Sequence, residues 1–111
     1  MKIPFRSKEI SWLSFNARVL QEGASSDVPL MERIKFLGIY SSNMDEFFRV
    51  RVATLRRLAS LGEQWKSLHM PDPNVTLKTI ATIVGEQAED FNVAYGNAMA
   101  DLEANGIRVV N

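Results

Sequence analysis

The chain has 111 residues and a mass of 12.5 kDa, the size of one domain, in which roughly two-thirds of the unfolded surface can be buried. Hydrophobic residues at 46% and charged residues at 23% exclude a disordered tail and a membrane-embedded protein. Thirteen Lys and Arg balance thirteen Asp and Glu, so no overall field draws the chain to nucleic acid or an anionic membrane, and the absence of cysteine removes disulfides and thiol chemistry.

The first eight residues, Met1 to Lys8, carry positive charge, but no apolar run of signal-peptide or membrane-spanning length follows them. From there apolar residues recur every three or four positions, without sustained alternation, which predicts an all-α chain. The first helix is expected from about Ser11 to Glu22, with Trp12, Phe15, Val19 and Leu20 inward, Asn16, Arg18 and Gln21 outward, and a stop at Gly23. Pro29 suits the first turn of a second helix, which carries Leu30, Ile34 and Leu37 inward and runs out near 40–42.

A third helix is expected to begin at Ser42 or Asn43, both capping residues, with Asp45 and Glu46 placing negative charge in its first turn. Its apolar members Met44, Phe47, Phe48, Val52, Leu55, Leu58 and Leu61 are numerous enough to make it the most buried element, and Gly62 is a natural stop. Residues 63–73 contain two prolines and no clear period, the pattern of a loop. The last helix, from about Val75 to Ala104, carries Leu77, Ala81, Val84, Ala88, Phe91, Tyr95, Ala98 and Leu102 in a heptad seam, ending at Asn105-Gly106. The expected fold is therefore an antiparallel bundle of three to four helices over residues 1–106, with one long C-terminal helix. Residues 107–111 read as an extended segment leading into a further domain.

Charge is segregated although it cancels. Arg49, Arg51, Arg56, Arg57 and Lys66 crowd one stretch, and Glu86, Glu89, Asp90, Asp101 and Glu103 another. The simplest expectation is two helices side by side with complementary charge.

The run from Glu9 through Trp12-Leu13-Ser14-Phe15-Asn16-Ala17-Arg18-Val19-Leu20-Gln21-Glu22, followed by Pro29-Leu30-Met31-Glu32-Arg33-Ile34-Lys35-Phe36-Leu37 and Ser41-Ser42-Asn43-Met44-Asp45-Glu46-Phe47-Phe48-Arg49-Val50-Arg51-Val52-Ala53, closely resembles the amino-terminal domain of the long, histidine-phosphorylated polyphosphate kinases. Met44 stands where Leu is usual in that family and Gly23 where Ala is expected. The resemblance implies a cytoplasmic transferase, with peripheral membrane association open to the parent enzyme. It would move the terminal phosphate of ATP reversibly onto polyphosphate through a phosphohistidine. The reactive histidine, the phosphate-binding basic residues and the magnesium site lie in other domains of that family. This domain is therefore expected to be inactive alone, to hold no metal and no catalytic residue, and to pack against the catalytic domains of the same polypeptide in a homo-oligomeric enzyme.

The family's nucleotide-contacting asparagine falls on Asn43. A carboxamide offers a donor and an acceptor side by side, matching the N6 donor and N7 acceptor of adenine. The competing reading of Asn43 is a helix cap. Arg49 and Arg56 share a face at 100° per residue and are the candidates for phosphate or interdomain contacts, whereas Arg51 and Arg57 point elsewhere. Trp12 and Phe15 are expected in the core. His69 reads as an exposed loop residue, and the adjacent carboxylates Asp45 and Glu46 diverge on a helix and lack a third ligand. Two rival readings remain: a helical interaction module using the 75–102 seam, and a small nucleic-acid-binding bundle, which the neutral charge disfavours.

Overall fold

The computed structural model describes residues 8–62 and 72–106. Every regular element among them is helical: α1 is Lys8–Ala24, α2 Leu30–Phe47, a π-helical stretch covers Phe48–Val52, α3 is Ala53–Ser60, and α4 is Pro73–Ala104. The π stretch and α3 continue α2 without a break, since Phe47, Phe48, Val52 and Ala53 all keep right-handed helical backbone angles. The bundle thus consists of three rods, consistent with the expected all-α architecture and its long last helix. His69, Lys66 and residues 107–111 lie outside the described residues.

The helix boundaries follow capping chemistry where it exists. Asp72 caps α4 by accepting a hydrogen bond from the Asn74 N–H at 2.9 Å, and Pro73 opens the helix where its missing N–H is harmless. At the other end the N–H groups of Asn105 and Gly106 close back onto carbonyls of the last turn, with Gly106 at φ +78°. Gly62, at φ +67°, follows α3 as expected. The first helix begins three residues earlier and ends two later than the pattern suggested, so Gly23 lies inside it.

That glycine marks the close approach of α1 and α2. A Cβ built on Gly23 would stand 2.7 Å from Leu37 Cδ2, 2.9 Å from Leu37 Cγ and 3.3 Å from the Arg33 carbonyl oxygen. Leu37 is itself 3% exposed and has little room to retreat. Gly23→Ala is therefore expected to lose about 1–2 kcal/mol in urea unfolding, the overpacking cost exceeding the gain in helix propensity; a stabilised variant would show that α1 and α2 separate freely.

Paired side chains fix the directions of the rods. Trp12 stacks on Phe47 and Gly23 lies against Leu37, so α1 and α2 are antiparallel. Arg33 pairs with Asp101 at 2.9 Å while Tyr40 stacks on Phe91, so α2 and α4 are antiparallel too. The core is built from Leu13 and Leu20 of α1, Leu37, Tyr40, Met44 and Phe47 of α2, Val52 and Leu55 beyond it, and Ile80, Ala94 and Ala98 of α4.

Several expectations are corrected by this packing. No helix starts at Ser42 or Asn43: both sit in the body of α2, so Asn43 is no N-cap, and Asp45 and Glu46 occupy no first turn. The 44–61 segment is not the most buried element, since Phe48 is 40% and Leu61 46% exposed and α3 buries only Leu55. On α4 the buried row is Pro73, Thr76, Ile80, Gln87, Ala94, Ala98 and Leu102, which keeps Ala98 and Leu102 of the anticipated seam; Leu77, Val84 and Phe91 flank it, while Ala81, Ala88 and Tyr95 are exposed.

Nor do the basic and acidic stretches neutralise one another. The antiparallel order sets the 49–57 arginines toward the start of α4, whereas the α4 carboxylates occupy its middle and end. Among the described residues the ion pairs are Arg33 with Asp101 and Lys35 with Glu32. Charge is thus separated along a molecule whose longest axis extends 59 Å.

Candidate functional site

The residues at positions 12, 15 and 16 of α1 and 43, 46 and 47 of α2 follow the same spacing, i, i+3, i+4, which puts each trio on one helix face. Where the two helices cross, Trp12, Phe15, Asn43, Glu46 and Phe47 line an open cavity of about 320 Å³. The volume lies near the lower end of the range for small-molecule sites. Val50 and Arg51 complete its wall.

The last two residues reach the cavity because the helix widens there. The buried stripe Leu37, Tyr40, Met44, Phe47 advances in steps of three and four, then takes five to reach Val52 and three to Leu55. Ala53 donates its N–H to the Phe48 carbonyl, five residues back, which is the π-helical pattern. An uninterrupted α-helix would put Val50 or Arg51 next on the core stripe after Phe47. The inserted residue instead keeps Val52 and Leu55 inside, leaves Val50 half exposed, and sets Arg51 on the cavity wall.

The arginines separate at this wall. Arg49 and Arg56 are exposed and do not line the cavity; Arg51, assigned elsewhere by a constant 100° step, does. None of Arg49, Arg51 and Arg56 has a carboxylate partner among the described residues. With Glu46 on the same wall, the cavity holds one charge of each sign.

Trp12 and Phe15 part company. Trp12 is half-buried and stacks on Phe47 with ring centroids 4.8 Å apart and planes 8° from parallel. Phe15 is 58% exposed at the cavity rim, against the expectation of a core residue. Its neighbour Asn16 departs in the opposite direction: expected outside, it is fully buried.

Asn16 is tolerated there because its amide is satisfied. Its Nδ2 donates to the Tyr40 carbonyl at 3.3 Å and its Oδ1 accepts from Asn43 Nδ2 at 3.0 Å. Across the core the Tyr40 hydroxyl donates to Gln87 Oε1 at 2.8 Å, and Gln87 Nε2 donates to the Leu13 carbonyl at 3.2 Å. Burial, and after it the Asp90 carboxylate, raise the Tyr40 pKa above its ordinary value, so the phenol stays a neutral donor. These bonds tie α1, α2 and α4 together at one level, directly behind Asn43. The sequence signal for this was faint: an Asn and a Gln at core-compatible positions, without any partner visible in one dimension.

No three His, Asp or Glu side chains converge among the described residues. Among those residues no helix is long and apolar enough to cross a membrane.

Comparison with known proteins agrees with the resemblance carried by the 9–53 run. Residues 5–110 match the polyphosphate kinase N-terminal domain family. The chain is 42% identical over 107 residues to a polyphosphate kinase of Yersinia pestis, 43% identical over 105 residues to that of Escherichia coli K12, and 41% identical over 107 residues to polyphosphate kinase 1 of Chlorobaculum tepidum. These alignments cover 96%, 94% and 95% of the chain, and it spans about 15% of the length of each relative. No solved structure matches it significantly. The chain belongs to the polyphosphate kinase N-terminal domain family.

Proposed function

We propose that the chain serves as the N-terminal accessory domain of a cytoplasmic polyphosphate kinase, and that its cavity forms the adenine side of the ATP site. In this reading the parent enzyme transfers the terminal phosphate of ATP to polyphosphate, reversibly, through a phosphohistidine on another domain. Magnesium and the phosphate-binding groups are supplied there as well. The domain itself makes and breaks no bond. It orients the nucleotide and packs against the catalytic domains, and through them within a homo-oligomer, so that isolated it has no activity.

The supporting observation is the situation of Asn43. With the helix cap excluded, its amide has no backbone duty; one N–H is taken by Asn16, and the other N–H and Oδ1 have no partner among the described residues. Since no buried side-chain nitrogen or oxygen among those residues lacks a partner, Oδ1 is open to solvent or ligand. A donor and an acceptor are thus offered beside the exposed face of Phe15, on which a base can stack. Arg51 lines the same cavity and supplies a cation there, with Arg49 and Arg56 left as candidates for phosphate or interdomain contacts.

Asn43→Ala in the complete enzyme is expected to raise KM for ATP about ten-fold, the loss of one or two hydrogen bonds, with the KM for polyphosphate unchanged. An unaltered ATP dependence would defeat this reading and favour a helical interaction module without a ligand of its own.

A further inference from the structure

The amide orientation at Asn43 is not left to chance. The Tyr40 carbonyl can only accept, so the side of Asn16 that faces it at 3.3 Å must be Nδ2. Asn16 therefore turns Oδ1 toward Asn43, 3.0 Å away, and that oxygen in turn requires Nδ2 of Asn43 to face it. Flipping either amide would set oxygen against oxygen or nitrogen against nitrogen. The choice is enforced by burial, since Asn16 is 0% exposed and no water can substitute for a lost partner. Tyr40 is held in its turn through its hydroxyl by Gln87 of α4.

From this chain of constraints we infer that Asn16 is a positioning residue that fixes the donor and acceptor order of Asn43 and thereby selects adenine over guanine. The inference rests on the proposal that Asn43 meets the base. With one N–H committed to Asn16, Asn43 presents Oδ1 and a single N–H. That pair complements the N6 donor and ring-nitrogen acceptor of adenine. Guanine presents two acceptors, O6 and N7, and would place O6 against Oδ1. A freely rotating Asn43 amide could turn both N–H groups toward guanine; Asn16 denies it that option.

The test uses the complete enzyme and the ratio of kcat/KM for ATP to kcat/KM for GTP, with polyphosphate as acceptor. Because both values come from one preparation, the fraction of folded enzyme cancels. Asn16→Leu keeps the branched shape but removes both polar atoms, and it is expected to lower the ratio about ten-fold by releasing the Asn43 amide. Asn16→Asp serves as the conservative variant. The carboxyl it introduces is buried against a carbonyl and stays protonated, donating to Tyr40 and accepting from Asn43, so the ratio is expected to return to within about two-fold of the parent. A purely structural Asn16 would change thermal stability in both variants and the ratio in neither. An unchanged ratio in Asn16→Leu, equal ratios in both variants, or a parent enzyme indifferent to the base overturns the inference. If Asn43→Ala leaves the ATP dependence intact, the underlying adenine reading fails first. If Asn43→Ala raises KM while Asn16→Leu keeps the ratio, only the positioning role fails.

Discussion

Phe47→Ala is expected to destabilise the chain by about 3–5 kcal/mol in urea unfolding, a large share of the total stability of a small domain. The side chain is 2% exposed, lies flat against Trp12 at 4.8 Å, and receives the edge of Phe48 at 6.0 Å with planes 85° apart. Truncation removes the transfer energy of a buried ring, opens a cavity between α1 and α2, and deletes an aromatic pair worth about 0.5–1.5 kcal/mol beyond its buried area. Phe48→Ala provides the control one residue on. At 40% exposure, with only its edge on Phe47, its ring is worth less, and a loss of about 1–2 kcal/mol is expected. Comparable losses at the two positions would mean that the α2 stripe does not turn inward at Phe47. Because Phe47 also walls the cavity, its loss reaches the site by the same route, through Trp12 and the seating of α1.

The contrast between these neighbours shows what the sequence could and could not disclose. The end of α4 was legible because Asn105 and Gly106 act within the last turn, whereas its start at Pro73 was set two residues late, the Asp72 cap and the proline having been read as loop. The anticipated break near 41–43 had equally suitable residue types, yet the helix runs through it. Ser and Asn disfavour a helix interior by only about half a kilocalorie each, less than the burial of Tyr40, Met44 and Phe47 on one continuous rod supplies.

Asn16 and Gln87 were misread or passed over for a related reason. A period analysis sorts residues by polarity, whereas a buried amide is stable once its partners are bonded, and those partners are 24, 27, 47 and 74 residues distant. On α4 the inward polar pair Thr76 and Gln87 disguised the true row and lent the flanking Leu77, Val84 and Phe91 the look of a seam. At the candidate site, Asn43 came from the family resemblance rather than from periodicity. Arg51 was passed over because the arginines were compared with one another for a shared face and not with Asn43 and Phe47, whose wall Arg51 joins.

That turn can be tested by removal. Deleting Val50 shortens the interval from Phe47 to Val52 from five residues to four, which an ordinary α-helix spans while keeping Val52 and Leu55 on the buried stripe. The variant is expected to unfold within about 1 kcal/mol of the parent, because the core loses no side chain and Val50 is itself 50% exposed. The cavity is not so spared. Its wall loses the Val50 side chain and the widened turn that carries it, while Arg51, directly before Val52, keeps its direction to within about 20°. KM for ATP in the complete enzyme is therefore expected to rise several-fold while the helix content measured by circular dichroism is retained. A loss of several kcal/mol would show that the wide turn is required by the packing of α3 on α4. An unchanged KM at full stability would show that the wide turn has no part in the nucleotide site. The expected combination, a sound fold with an impaired site, assigns the irregular turn to ligand placement, consistent with the tendency of such turns to occur where a helix must present side chains outside its own period.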